Sequence, residues 1–205
     1  MADPRTASTR RRSRARAETS PKRRAGGARP RPAAGKRPGP AAGARPASGR
    51  RALLKETALV RLLGLKIPVL LFLAPQVLEV DEEGAAILVK LGYRSRNHVG
   101  SMYFGALAAG ADLAGGMNAF ALIQRRFPRM VILFKDARME FLKRADGDVV
   151  FRTRDGRKVA AAMEEAARTG ERVTIPVEVV ATVPDRYGDE PVARFTLGLS
   201  MKQKA

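Results

Sequence analysis

The sequence predicts an α+β domain in which one antiparallel sheet wraps a single apolar helix, and three observations carry that expectation. A helical stretch at about 101–125 is built of small apolar residues and carries one charge, Asp112, between Met102 and Met117. A helix apolar all round is a buried helix. Its glycines, Gly105, Gly110, Gly115 and Gly116, each disfavour a helix by about 0.8–1 kcal/mol relative to Ala, so close approach of other chain segments must offset them. Finally, the segments after the helix alternate apolar and polar residues with period two, the pattern of half-buried antiparallel strands.

The elements follow in order. In residues 1–51 no Leu, Ile, Val, Phe, Tyr or Trp occurs, while Arg, Pro, Ala, Gly and Ser recur as RRRSRAR, PKRR and GARPRP. Nothing there can bury a core, which predicts a disordered basic arm. Residues 52–65 place Leu53, Leu54, Leu59, Val60, Leu62 and Leu63 at helical spacings with Lys55, Glu56 and Arg61 between them, an amphipathic helix. The apolar run that follows is bracketed by Pro68 and Pro75. It is too short for a membrane span, and the prolines forbid a long helix, so it reads as a core or pocket-covering segment of the unit 52–75.

Residues 76–205 read as the main domain. Residues 76–80 and 85–93 form a hairpin across the acidic turn Asp81-Glu82-Glu83-Gly84, with Ile87, Val89 and Leu91 on one face. Arg125, Arg126 and Pro128 mark the end of the central helix. Residues 129–145 read as a long strand with Val131, Leu133, Ala137, Met139 and Phe141 on one face. A short return strand at 148–154 precedes an Ala-rich helix at 157–169, stopped by Gly170. Val173, Ile175, Val177, Val179, Ala181 and Val183 line one face of the next strand, and Ala193, Phe195, Leu197, Leu199 and Met201 line one face of the last.

Composition excludes several chemistries. The 205 residues contain no Cys and one His, His98, so disulfides, thiolate nucleophiles and Cys-ligated metals are ruled out and a His-based metal site is not expected. The charge is placed unevenly: residues 1–51 hold sixteen Lys and Arg against Asp3 and Glu18, net +14, and the remainder holds 23 against 18, net +5. The arm is thus suited to sequence-independent contact with nucleic acid or another polyanion through counterion release, or to a tethering and solubilising role. No N-terminal apolar signal segment is present, and the expected compartment is the cytoplasm.

The order Asn97, Gly100, Tyr103-Phe104-Gly105, Asp112 resembles the signature of hotdog-fold thioesterases of the phenylacetate-pathway (PaaI-like) kind. There an Asn precedes a His-Gly-Gly turn at the start of the central helix, and an acidic residue follows about two turns in. Asn97, Gly105 and Asp112 fall on the family's Asn, second Gly and acid, whereas Tyr103 and Phe104 stand where the family has His and the first Gly. The resemblance covers roughly residues 53–204 and looks closest to a domain-of-unknown-function branch. It implies the hotdog fold, with the sheet as the bun and the helix as the filling.

It also implies a site. A helix N-terminus offers free N–H groups and the positive end of a dipole, both suited to a developing oxyanion. The matching amides are those of Phe104 and Gly105, with Gly100 and Tyr103 beside the bound thioester. By resemblance Asp112 is the general base or nucleophile, acting across a dimer interface, and Asn97 orients the water or the carboxylate. An acid among Ala, Leu and Gly should have a raised pKa, which suits a base working near neutral pH. The bland reading makes Asp112 a structural acceptor bonded to backbone or Asn97, and Asn97 a turn-former. His98 reads as a cap or solvent contact, and Ser101 lacks the strand-turn-helix setting of a nucleophile elbow.

Coenzyme A, as part of the substrate, is a polyanion, so Arg94, Arg96, Lys143 and Arg144 are candidates for its phosphates, or else a solvated basic surface. No cofactor is expected, since the glycines match neither the nucleotide nor the dinucleotide loop pattern. The leading expectation is a homodimer or dimer of dimers hydrolysing acyl-CoA. Its rival is a non-catalytic acyl-CoA-binding hotdog module whose arm contacts nucleic acid or an anionic surface, and a third reading makes the domain only a dimerisation unit.

Overall fold

The computed structural model describes Leu54, Lys55, Thr57, Ala58, Val60, Leu65 and residues 67–204. The expected arm at 1–51 lies outside the described residues, as does much of the expected helix at 52–65, of which Leu54, Lys55, Thr57, Ala58 and Val60 are helical. The bracketing prolines act as their geometry dictates. Pro68 opens a six-residue helix α1, Pro68–Leu73, where its missing N–H costs nothing. Ala74 ends it in the left-handed region at φ 48°, and Pro75 forbids continuation.

Strands β1 (Gln76–Val80) and β2 (Ala85–Val89) form the hairpin. Its turn is held by Asp81, whose Oδ1 accepts the amides of Glu83 and Gly84 at 2.9 and 3.0 Å. The chain then runs through α2 (Phe104–Arg125), β3 (Met130–Phe141), β4 (Val149–Thr153), α3 (Gly156–Thr169), β5 (Val173–Thr182), the single turn α4 (Pro184–Tyr187) and β6 (Pro191–Gln203). The six strands make one sheet in the order β1-β2-β4-β5-β6-β3, antiparallel throughout, so β1 and β3 are its edges. Helix α2 packs on one face of it. This is the hotdog fold.

Helix α2 starts three residues after the expected position because Arg96 and Met102 pair in an isolated antiparallel bridge and Tyr103 is still extended, at φ −66° and ψ 142°. At 22 residues and a mean hydropathy of 1.4 it is long and apolar enough to cross a membrane, but more than half of that stretch is buried inside the protein. Ala106, Leu107, Ala111, Ala114 and Met117 meet Ile87, Val89, Val149, Phe151, Val179, Phe195 and Leu197 in the main core. Two glycines explain how so close a seat is possible. A Cβ at Gly110 would overlap the Phe151 ring, and one at Gly115 would come within 2.9 Å of a Leu197 methyl.

Helix α3, the Ala-rich helix expected at 157–169, is amphipathic and ends at Gly170, φ 72°. Val159, Ala162, Met163 and Ala166 close a second core over Ala119, Val177, Leu199 and Met201.

Strand β3 departs from the sequence expectation. Val131 and Leu133 are exposed, and Met130, Ile132 and Phe134 face inward instead. The cause is a bulge: Phe134 pairs with Leu199 and Ala137 with Leu197, so Lys135 and Asp136 together oppose Gly198. An extra residue shifts a period-two pattern by one, so Val131 and Leu133 lie on the face opposite to Ala137, Met139 and Phe141. Gly198 permits this because a side chain there would overlap the Asp136 carboxylate.

Candidate active site

The loop before α2 is organised by Asn97. Its Oδ1 accepts the amides of Val99 and Ser101, both at 3.1 Å, its amide pairs with the Ser101 hydroxyl, and its backbone N–H donates to Ser101 O at 2.7 Å. This is an Asx-type turn, in which a short polar side chain replaces backbone partners. Gly100 completes it at φ 78°. Further bonds fix the strand-like exit: Met102 N–H donates to Ala145 O and Tyr103 N–H to Ser95 O, each at 2.7 Å. His98 is exposed.

Tyr103 caps α2 without a side-chain bond, and its carbonyl accepts the amides of Ala106 and Leu107 at 2.9 and 3.0 Å. Among the described residues no carbonyl outside the helix accepts the amides of Phe104 or Gly105, so two donors face outward at the positive end of the helix. The two aromatic side chains meet edge to face. The Tyr103 ring lies over Gly105, where a Cβ would meet it at 2.6 Å, while Phe104 turns to make edge contacts with Tyr103 at 6.4 Å and Phe141 at 6.0 Å.

Asp112 lies eight residues into the helix, about 12 Å from its start at 1.5 Å per residue. It borders a cavity of about 300 Å³ whose walls include Leu70, Leu113, Met117, Phe120, Ile132 and Phe134, and among the described residues it is the one titratable side chain on that wall. Among the described residues nothing donates a hydrogen bond to its carboxylate and no cation pairs with it. Its outer side is exposed, yet the apolar bulk around it withdraws enough water to push the carboxyl above the ordinary aspartate range.

The geometry joins some of the predicted residues and separates others. Asn97, Gly100, Tyr103, Phe104 and Gly105 form one continuous helix entry. Asp112 is two turns away, and Asn97, committed to Ser101, is not its partner within one chain.

A family model described as a domain of unknown function (DUF4442) matches residues 55–198. The chain belongs to that family. No curated protein matches it. Among solved structures, this DUF4442 chain is similar to a Pseudomonas aeruginosa protein of unknown function described as a probable thioesterase, at 23% identity and a TM-score of 0.59, covering 72% of this chain and 95% of that one. It is also similar to a Chlorobaculum tepidum protein of unknown function, at 13% identity and a TM-score of 0.63, covering 73% and 95%. A mutant thioesterase of Pseudomonas aeruginosa gives 14% and 0.53, covering 74% and 94%. At these identities the likeness is one of fold.

The basic candidates of the DUF4442 domain gather around the helix entry, each with work in the fold. Arg144 donates to Val99 O at 2.7 Å and so ties the loop to the end of β3. Lys143 pairs with Glu190 at 2.6 Å, Arg94 stacks on Phe72, and Arg96 lies over Tyr93. Among the described residues no three His, Cys, Asp or Glu side chains converge as a metal cluster. The cavity walls Phe120, Ile132 and Phe134 escaped sequence reading. Phe134 and Ile132 would have emerged only if the bulge at Lys135-Asp136 had been recognised, and the glycine opposite it, Gly198, was the available signal.

Proposed function

We propose that this protein hydrolyses acyl-thioesters, with acyl-CoA as the substrate class and Asp112 as the residue that activates water or attacks directly. The observation that carries the reading is the Asp112 carboxylate at the wall of an apolar cavity, with no donor or cation partner among the described residues. The apolar bulk on its cavity side raises its pKa, and a raised pKa is what a general base near neutral pH requires.

In the general-base form the Asp112 carboxylate takes a proton from water as its oxygen attacks the thioester carbonyl carbon. The negative charge moves onto the carbonyl oxygen, where the amides of Phe104 and Gly105 stabilise it. The C–S bond then breaks, and the leaving thiolate receives the proton from Asp112. In the nucleophilic form a carboxylate oxygen attacks instead, the thiolate leaves, and water hydrolyses the resulting anhydride.

One chain cannot do both tasks on one carbonyl, because about 12 Å of helix separates Asp112 from the amides. The reading therefore requires a homodimer, or a dimer of dimers, in which the helix end of a second copy supplies the oxyanion site. Strand β3, an edge of the sheet among the described residues, is a candidate surface for such an assembly. Arg94, Arg96, Lys143 and Arg144 would meet the coenzyme A phosphates, and the apolar cavity would take the acyl group.

A specific observation favours a second reading. The Tyr103 ring over Gly105 crowds the helix end, and a crowded end suits a module that holds acyl-CoA without hydrolysing it. The test is turnover of an acyl-CoA panel by the full chain and by Asp112→Asn. Hydrolysis by wild type and its loss in the variant support the enzyme, whereas saturable acyl-CoA binding with no turnover on any chain length supports the binding module.

A further inference from the structure

The surface beside the cavity has an unusual composition. Helix α1 turns only Leu70 and Leu73 inward, and leaves Ile67, Val69, Leu71 and Phe72 outside, at 41, 48, 46 and 53% exposure. No charged or hydrogen-bonding side chain occurs from Ile67 to Pro75, so the helix stands proud as a contiguous apolar knob. Contiguous apolar surface of this kind marks a contact site.

The rim of the knob indicates the contact. Arg94 lies over the Phe72 ring at 5.7 Å and donates to Phe72 O at 3.4 Å, which places a guanidinium directly at the edge of the apolar face. Two residues on, Arg96 lies over Tyr93, whose ring is 86% exposed. Apolar side chains edged by an arginine, with an exposed tyrosine next to it in the chain, suit a membrane-interface anchor, in which the apolar part enters the acyl boundary and the rim stays among headgroups. Charge complementarity selects anionic lipid. The chain preceding this region, residues 1–51, carries net +14, and each Lys or Arg near an anionic surface strengthens binding by about fivefold.

The knob also connects to the cavity. Ile67 and Leu70 of the same short segment border the space that holds Asp112. We propose that α1, with Tyr93, Arg94 and Arg96, docks the protein on an anionic lipid bilayer and sets the mouth of the cavity against it. An acyl chain dissolved in the bilayer would then enter past Ile67 without crossing water. The docking stands on the surface alone; only the delivery of substrate rests on the thioesterase reading.

The experiment is co-sedimentation of the full chain with vesicles of phosphatidylglycerol and phosphatidylcholine, with pure phosphatidylcholine vesicles in parallel. Wild type should bind the anionic vesicles, and Val69→Glu/Leu71→Glu should weaken that binding at least tenfold. Both side chains lie outside the cavity wall, so folding by circular dichroism, mass by light scattering and turnover of a short, water-soluble acyl-CoA should be unchanged. No sedimentation of wild type would overturn the proposal. So would equal binding by the variant, which would assign all membrane contact to the basic residues. A fall of the variant to half the wild-type mass would overturn it as well, because the face would then be covered by a second copy. Vesicle binding without turnover on any acyl-CoA would leave the docking intact and remove the thioesterase reading.

Discussion

Gly110 of the central helix sits against the ring of Phe151 on β4 with no space between them for a methyl group. The ring is fully buried and held from behind by Phe195 at 6.3 Å, so it has nowhere to swing. This contact sets the depth at which the helix lies in the sheet, and through it the position of every side chain on α2.

Gly110→Ala should therefore destabilise the fold although it improves helix propensity. The propensity gain is about 1 kcal/mol, and overpacking a dense core costs about 1–3 kcal/mol. The expected net loss is about 1 kcal/mol, a Tm lower by about 2–4 °C. Thermal unfolding followed by circular dichroism measures it, and an increase in Tm would contradict the packing argument.

Asp112→Asn should separate function from stability. The shape is kept and the base removed, so turnover should fall by about 10² to 10⁴. Stability should move the other way. The folded-state pKa of Asp112 is raised, so the folded protein holds its proton more tightly than the unfolded chain. The resulting stabilisation is fully present below the unfolded pKa and is lost as pH rises through the folded pKa. At neutral pH the wild type thus carries the desolvation cost of an ionised carboxylate, and the amide does not. The variant should melt higher than wild type at pH 7 to 8, with the difference shrinking as pH falls. Equal rates of thioester hydrolysis by the two proteins would remove Asp112 from the mechanism.

If Asp112 is the base, wild-type turnover should increase with pH through that same raised pKa, because only the carboxylate accepts a proton. Initial rates across pH with a single acyl-CoA give the profile. A rate that is flat from acidic to neutral pH would exclude titration of this group from the rate-determining step.

Asn97→Ala removes the acceptor for two loop amides, Val99 and Ser101, each bond contributing about 1 kcal/mol. Because these bonds shape the entry to α2, the variant should lose about 1–2 kcal/mol of stability. Its loss of turnover should be milder than that of Asp112→Asn, since Asn97 positions the loop and transfers no proton. Denaturant titration and initial rates measured on the same preparations check both. A rate loss larger than that of Asp112→Asn would place Asn97 in the chemistry itself.

The proposed active site exists only in an assembly, so the full chain should scatter light as a dimer or larger. Charging the outward row of the edge strand, as in Val131→Lys, should leave the protomer folded, because this side chain already faces solvent. If β3 is the assembly edge, the variant should lower both mass and turnover, because the carboxylate and the oxyanion amides no longer meet. A folded monomer with full activity would refute the two-chain site.

The period-two rows of β5 and β6, the buried character of α2 and the stop at Gly170 were all legible in the sequence. Each is a local consequence of side-chain alternation, helix polarity or backbone freedom. The residues of the helix entry and Asp112 were singled out only by their resemblance, in order and spacing, to the hotdog signature. Tertiary structure alone decided the rest. Strand β3 turns Ile132 and Phe134 inward because Gly198, sixty-odd residues away, leaves room for the Asp136 carboxylate. Asn97 is committed to its own loop because Ser101 closes back on it. The Asp112 cavity is assembled from α1, α2, β3 and β6. Alternation along a chain reports which faces can be buried, but a bulge depends on the strand opposite and a cavity on elements brought together from afar, so neither is written in any local window.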